Sequence, residues 1–319
     1  MSLMKSSIPM TIYRAESSIL ANITDDRLKQ FAFRSIDDTP DEKGYGFVNG
    51  DDMFDTEWHT SIPEKGQYMN FGFRIDARKV PSVILQKHLT EMNREELERL
   101  SVQGKKSISK ARKAEFRDLC KSRLLSKTEP RPAMTGVAVD MVTGLVYVAS
   151  TSKSVLALFE IYMKTAFGGE LERLSPCTLC ASDSEHPLED LMRDVYAESM
   201  TLSLDGRDYT IAEQGKATLA RTDGPSVSVT DAPDSARAGL ESGLLIKNLK
   251  IRLSSMPEDE LVSVFTLNAD FSFNSLKTPR IPREKGADAD PDANFLLKMG
   301  FIEETVGAMH ALFRQHVGN

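Results

Sequence analysis

The chain has 319 residues, 40% of them hydrophobic, and a formal net charge of −7. That length suggests about two domains, with enough apolar content for packed cores. No apolar run approaches the ~18 residues of a membrane span, no signal-peptide pattern opens the chain, and three cysteines do not make a disulfide framework. The expectation is a cytoplasmic protein with reduced thiols.

The first 80 residues read as β-rich with polar loops. Met69 to Asp76 alternates apolar and polar residues, as a strand with one buried face would. The stretch from Asp37 to Asp55 is acidic and Gly-rich and reads as a surface loop. Trp58 and Phe54 read as core or loop anchors rather than a base-stacking platform.

Pro81 can open a helix whose apolar residues are Val83, Ile84 and Leu85. A second short helix follows from Arg94 to Leu100, Gly104 breaks the chain, and a long helix runs from about Lys106 to Lys127. The 33 residues from Arg99 to Arg131 hold eleven Lys or Arg against Glu115, Asp118 and Glu129. This window carries +8, so the remainder carries −15. Such a split points to a local polyanion site on an otherwise acidic protein. Lys106, Lys110, Lys113, Arg117 and Lys121 are spaced 4, 3, 4 and 4 apart, which makes one stripe about 22 Å long on a helix. Ile108, Ala111, Leu119 and Leu125 are expected roughly opposite, against a core or a subunit. A solvated face is the common meaning of a charge run, but such faces usually mix signs, and these five positions hold no carboxylate.

After Pro130 and Pro132, Val137 to Met141 and Leu145 to Ala149 flank a turn at Thr143-Gly144 and predict a hairpin. A helix follows from about Lys153 to Ala166, with Val155, Leu158, Phe159, Tyr162 and Met163 as its apolar side and Gly168-Gly169 as its cap. From Ser175 to about Gly239 the composition turns polar, which suggests a separate small subdomain. Two strands, Leu244 to Leu253 and Leu261 to Phe273, are joined across Pro257-Glu258-Asp259. The last helix runs from Asp292 to about Gln315, burying Phe295, Leu296, Met299, Ile302, Val306, Met309 and Phe313.

Signatures of catalysis are weak. Cys177-Thr178-Leu179-Cys180 has metal or redox spacing with His186 nearby, but a structural zinc site wants four ligands, and Asp183 to Glu185 make the setting acidic for a reactive thiol. Asp288, Asp290 and Asp292 lack the Gly and distal Glu of a calcium loop. No carboxylate cluster stands out for a metal-dependent nuclease, and no phosphate loop for an ATPase. No metal and no cofactor are expected.

The order of these pieces resembles the RdgC family of bacterial recombination-associated proteins. The resemblance is spread along most of the chain: the Thr11-Ile12-Tyr13-Arg14 strand, the Lys87-to-Lys127 helical segment, the Val139-to-Ser150 strand–turn–strand, and Asp292-Ala293-Asn294-Phe295-Leu296-Leu297 opening the final helix. It implies an α+β fold: a central body of antiparallel sheets with packed helices, a helical base and a protruding tip, arranged as a horseshoe. The body would comprise 1–80, 131–174 and 239–319, the base 81–130 and the tip 175–238. It further implies a cytoplasmic, nucleoid-associated homodimer, a two-fold ring that encircles double-stranded DNA without sequence preference and limits RecA-driven recombination. Two departures are plain. The tip segment Ser226 to Pro233 has no lysine where the family can carry adjacent ones, and Leu124-Leu125-Ser126-Lys127-Thr128-Glu129 replaces the family's Leu-Leu-Pro-Arg-Ala-Phe.

Lys105, Lys106, Lys110, Lys113, Arg117 and Lys121 are therefore expected to contact phosphates, with Arg112 and Arg123 on the flanks, where they could instead make dimer salt bridges. Two other functions fit the sequence. A metal-dependent exonuclease would degrade labelled DNA ends in magnesium, and a protein-docking module would hold an acidic partner through the basic helix after nuclease treatment.

Overall fold

A computed structural model describes residues 2–39, 41–102, 104, 106–179, 184–221, 224–281 and 291–318. The fold is α+β and its strand ladders are antiparallel. In chain order it runs β1 Ile8–Ala15, α1 Ser17–Asn22, α2 Asp25–Gln30, β2 Lys43–Asn49, β3 Glu64–Lys65, β4 Tyr68–Ala77, α3 Ser82–Val102 and α4 Lys110–Leu125. Then follow β5 Arg131–Asp140, β6 Leu145–Val148, α5 Lys153–Phe167, β7 Leu171–Arg173, α6 Pro176–Leu179 and α7 Pro187–Ala197. The rest is β8 Met200–Leu204, β9 Arg207–Ala220, β10 Ser226–Thr230, α8 Pro233–Glu241, β11 Leu245–Ser255, β12 Glu260–Asn268, β13 Phe273–Lys277 and α9 Pro291–Gly318. Among the described residues, no helix is long and apolar enough to cross a membrane.

The sheet is ordered β10-β9-β11-β12-β13-β1-β6-β5-β4-β2, with β8 added to β9, β7 to β1 and β3 to β4. β1 joins its two halves. Ile8 and Met10 pair with Leu276 and Phe273 of β13, while Thr11 to Arg14 pair with Val148 to Leu145 of β6. Each half has its own core. Phe47, Phe71, Phe73, Phe159 and Phe167 meet under α5, where the Phe47 ring lies 5.1 Å from Phe71 and 5.4 Å from Phe167. Leu249, Ile251, Phe265, Phe273, Met299, Met309 and Phe313 form the other core, between β11–β13 and helices α7 and α9.

Several sequence expectations are corrected. The acidic 37–55 stretch contains β2, whose Phe47 and Val48 are fully buried. Its glycines mark close approach rather than a loop: a Cβ on Gly46 would stand 2.4 Å from Phe33 Cα. β4 is buried on both faces from Tyr68 to Phe73: on the side away from the aromatic core, Phe295 of α9 lies against Tyr68 at 5.8 Å, and Met134 and Val48 close over Gly72. The expected strand 261–273 is two strands, β12 and β13, with Phe271 at φ 63 in the turn between them. In α5 the buried seam is Leu156, Phe159, Met163, Ala166 and Phe167; Leu158 and Tyr162 are half-buried beside it. In α9 Leu296 is exposed, and Lys298 and Thr305 are buried with the expected apolar residues.

The polar 175–238 stretch is hydrogen-bonded into the main sheet. β9 pairs with β11 from Tyr209 to Ala220, β8 and β10 extend from β9, and α7 buries Leu188, Leu191, Met192 and Val195 in the same core as α9.

Candidate nucleic-acid interface

The basic window folds as a helical hairpin. α3 is one continuous helix of 21 residues, not two short ones, since nothing between Ser82 and Val102 is Gly or Pro. Gly104, at φ 72, follows its end. α4 begins later than expected. Ser109 is its N-cap, with Oγ accepting from the Arg112 backbone N–H at 3.2 Å, so Lys106 lies ahead of the helix. Lys105 lies outside the described residues.

The two helices run antiparallel and pack chiefly on each other. Arg112 Nε sits 3.5 Å from Glu96 Oε1, and two turns on Cys120 Sγ sits 3.0 Å from Met92 Sδ. α4 buries Phe116, Cys120 and Leu125, with Ile108 buried just before it. At 100° per residue, Lys110, Lys113, Arg117 and Lys121 fall within an arc of about 80°, and Phe116 and Cys120 lie roughly a quarter-turn from its centre. Leu119, opposite the cationic arc, is 60% exposed, and Ala111 is exposed as well. A helix with one neighbour buries a narrow seam, which is why the expected apolar face is open.

All seven described candidates, Lys106, Lys110, Arg112, Lys113, Arg117, Lys121 and Arg123, are exposed. Within the arc, Lys121 Nζ donates to Glu42 Oε2 at 2.9 Å and holds that carboxyl below its usual range. Lys110, Lys113 and Arg117 make no ion pair among the described residues. Their charge is uncompensated along about 11 Å of helix axis. Arg112 differs: it donates to Glu115 Oε2 at 2.7 Å, reaches Glu96, and lies over the Phe116 ring at 4.7 Å. Its guanidinium is committed inside the hairpin, as a cation on an aromatic face braced by two carboxylates. Arg123 lies on the same far side of the seam, away from the arc.

Sequence reasoning missed Glu96 and Glu42. Glu96 is nearly buried and also takes Arg99 Nη2 at 2.9 Å; its i,i+3 spacing to Arg99 was the one available signal. Glu42 is distant in sequence and gave none. Among the described residues, no three His, Cys, Asp or Glu side chains gather as a metal-ligand group. Cys177 is exposed in α6, His186 faces Glu189 at 3.6 Å, and Cys180, Asp183, Asp288 and Asp290 lie outside the described residues. Trp58 is buried in the aromatic core, while Phe54 is exposed with the Arg74 guanidinium 5.1 Å from its ring.

The chain matches no protein-family model and no curated protein.

Proposed function

We propose that this protein binds double-stranded DNA without sequence preference through the cationic arc of α4, as a ring-forming homodimer of the RdgC type that modulates RecA-dependent recombination. One observation carries the DNA reading: Lys110, Lys113 and Arg117 project from one helix face, exposed and without carboxylate partners among the described residues, on a chain of net charge −7. Duplex DNA offers a phosphate about every 1.7 Å of its axis, so an arc of this length reaches several at once. The rest of the chain is net negative, which disfavours non-specific DNA contact away from this face.

Homodimerisation accounts for a second feature of the hairpin. Val83, Val102 and Leu119 are 77%, 88% and 60% exposed. Large apolar side chains concentrated on one projecting hairpin fit a contact with a second copy.

The test is a gel shift on a long random duplex across a salt series. Wild type is expected to bind with a steep inverse dependence on salt. The Lys110→Glu/Lys113→Glu/Arg117→Glu variant, with Lys121 left to its Glu42 partner, is expected to lose the complex at moderate salt. Equal binding by the two proteins would move DNA to another face. No shift by wild type at low salt would end the DNA reading and leave the exposed hairpin as a protein-docking surface.

A further inference from the structure

Three segments far apart in sequence close around a cavity of about 920 Å³: the residues before β1, the end of β13 with the chain after it, and the first turns of α9. Among the described residues its wall carries four cations, Lys5, Lys277, Arg280 and Lys298, and no carboxylate. Lys298 stands out. It is 6% exposed, and its ammonium donates to the Lys5 backbone carbonyl. Neither it nor the other three makes an ion pair among the described residues.

Among the described residues the other buried cations have more partners: Arg78, 4% exposed, donates to the backbone carbonyls of Ile36, Asp37, Thr39 and Asp41, and the other buried lysine holds two carboxylates. Lys65 is 2% exposed, and its Nζ is held by Asp51 at 2.6 Å and Asp292 at 2.7 Å. Lysines are almost never buried without such partners, because a desolvated ammonium needs a counter-charge. Burial alone pushes Lys298 down to about 8. A counter-anion beside it would reverse that shift and offset the cost of burying the charge.

The lining also identifies the class of anion. Four cations exceed what one carboxylate neutralises, and Asn294 and Thr278 add neutral hydrogen-bonding groups. The apolar part of the wall is Met4, Pro279 and Ile281, with no aromatic ring on which a nucleobase could stack. Recognition therefore rests on the phosphate group itself.

We propose that this cavity is a phosphate-binding site, with Lys298 as its buried anchor and Lys5, Lys277 and Arg280 as its rim. It is built from elements other than α3 and α4, so it stands or falls independently of the DNA reading.

The experiment is isothermal titration calorimetry of the full chain with pyrophosphate in a chloride buffer at pH 7. Wild type is expected to bind one pyrophosphate per chain. Lys298→Met keeps the buried stem and removes the charge, and is expected to weaken binding about tenfold or more, as loss of a charge-assisted bond does. Lys277→Gln/Arg280→Gln alters exposed residues and leaves the buried anchor in place, so its expected severalfold loss is readable even if Lys298→Met fails to fold. No binding by wild type, or unchanged affinity in the rim variant, overturns the proposal. Competition by duplexes with and without 5′-phosphates, in the Lys110→Glu/Lys113→Glu/Arg117→Glu background, then identifies the source. Displacement of pyrophosphate by the phosphorylated duplex alone makes the ligand a strand end; displacement by neither makes it free phosphate. Either result supports the site.

Discussion

Asp140 is fully buried yet held as a carboxylate. Burial pushes its carboxyl up, but the Thr143 hydroxyl at 2.7 Å and the Val142 and Thr143 backbone N–H groups at 2.8 and 3.2 Å outweigh that and keep it below the usual range. Its neighbour Glu303 moves the other way. Burial raises Glu303, the Tyr68 hydroxyl opposes that, and the adjacent Asp140 raises it further. The pair ties the β5–β6 turn to α9, with Gln67 Nε2 bridging Asp140 at 3.1 Å and Glu303 at 3.3 Å. The two shifts have opposite consequences for stability. Asp140, lowered in the fold, contributes stability that is present above its unfolded pKa and is lost as pH falls through the folded value. Glu303, raised in the fold, favours folding while protonated in both states and opposes it once pH climbs from its unfolded value through its folded one. Glu303→Gln replaces the protonated acid with an amide that can donate to Asp140. The variant is expected to melt about 1–3 °C above wild type at pH 7.5 and level with it at pH 4. Thermal melts across that range check this, and a loss of stability at pH 7.5 that disappears at pH 4 would show that Glu303 works as a carboxylate.

At the scale of the element, α4 shows what a sequence reveals and what it conceals. The cationic spacing was legible because helical periodicity is local, and so was the hairpin turn at Thr143-Gly144, where Gly144 adopts φ 74. The buried side of α4 was not legible. It depends on where α3 lies, although the continuity of α3 itself was legible in the absence of Gly and Pro from Ser82 to Val102. Arg112 is the clearest case. It belongs to the same run of cations, but Glu96, Glu115 and Phe116 engage it. The cationic cavity was invisible for a related reason: its residues come from both ends of the chain. A contrast between two arginines tests the α4 geometry. Arg117→Gln is expected to lower the slope of log affinity against log salt by about 0.9, the share of one phosphate contact, with no change in melting temperature. Arg112→Gln is expected to leave that slope unchanged and to loosen the α3–α4 hairpin, seen as faster amide exchange around Glu96 and Phe116. The reverse pattern would place the phosphates on the other side of the seam.

At the scale of the whole molecule, β1 makes one sheet out of two cores, and the α3–α4 hairpin extends from the end of β4 with no core of its own. A hairpin that buries only a narrow seam against itself gains little from folding alone. A second copy seated on its exposed Val83, Val102 and Leu119 would bring two cationic arcs to one duplex. This makes a joint prediction about assembly and binding. Sedimentation at micromolar concentration is expected to find wild type dimeric and the Val102→Asp/Leu119→Asp variant monomeric, with the melting of the two cores unchanged. The variant keeps every cation of the arc, so each chain still touches DNA. Its affinity for a long duplex is nevertheless expected to fall by 10²-fold or more, because a dimer gains the second contact at high effective concentration and a monomer does not. On closed circular DNA a dimer that must open to load is expected to bind more slowly than on a linear duplex of equal length. Equal loading rates would leave the dimer intact and remove the ring. A wild-type monomer at those concentrations would remove both.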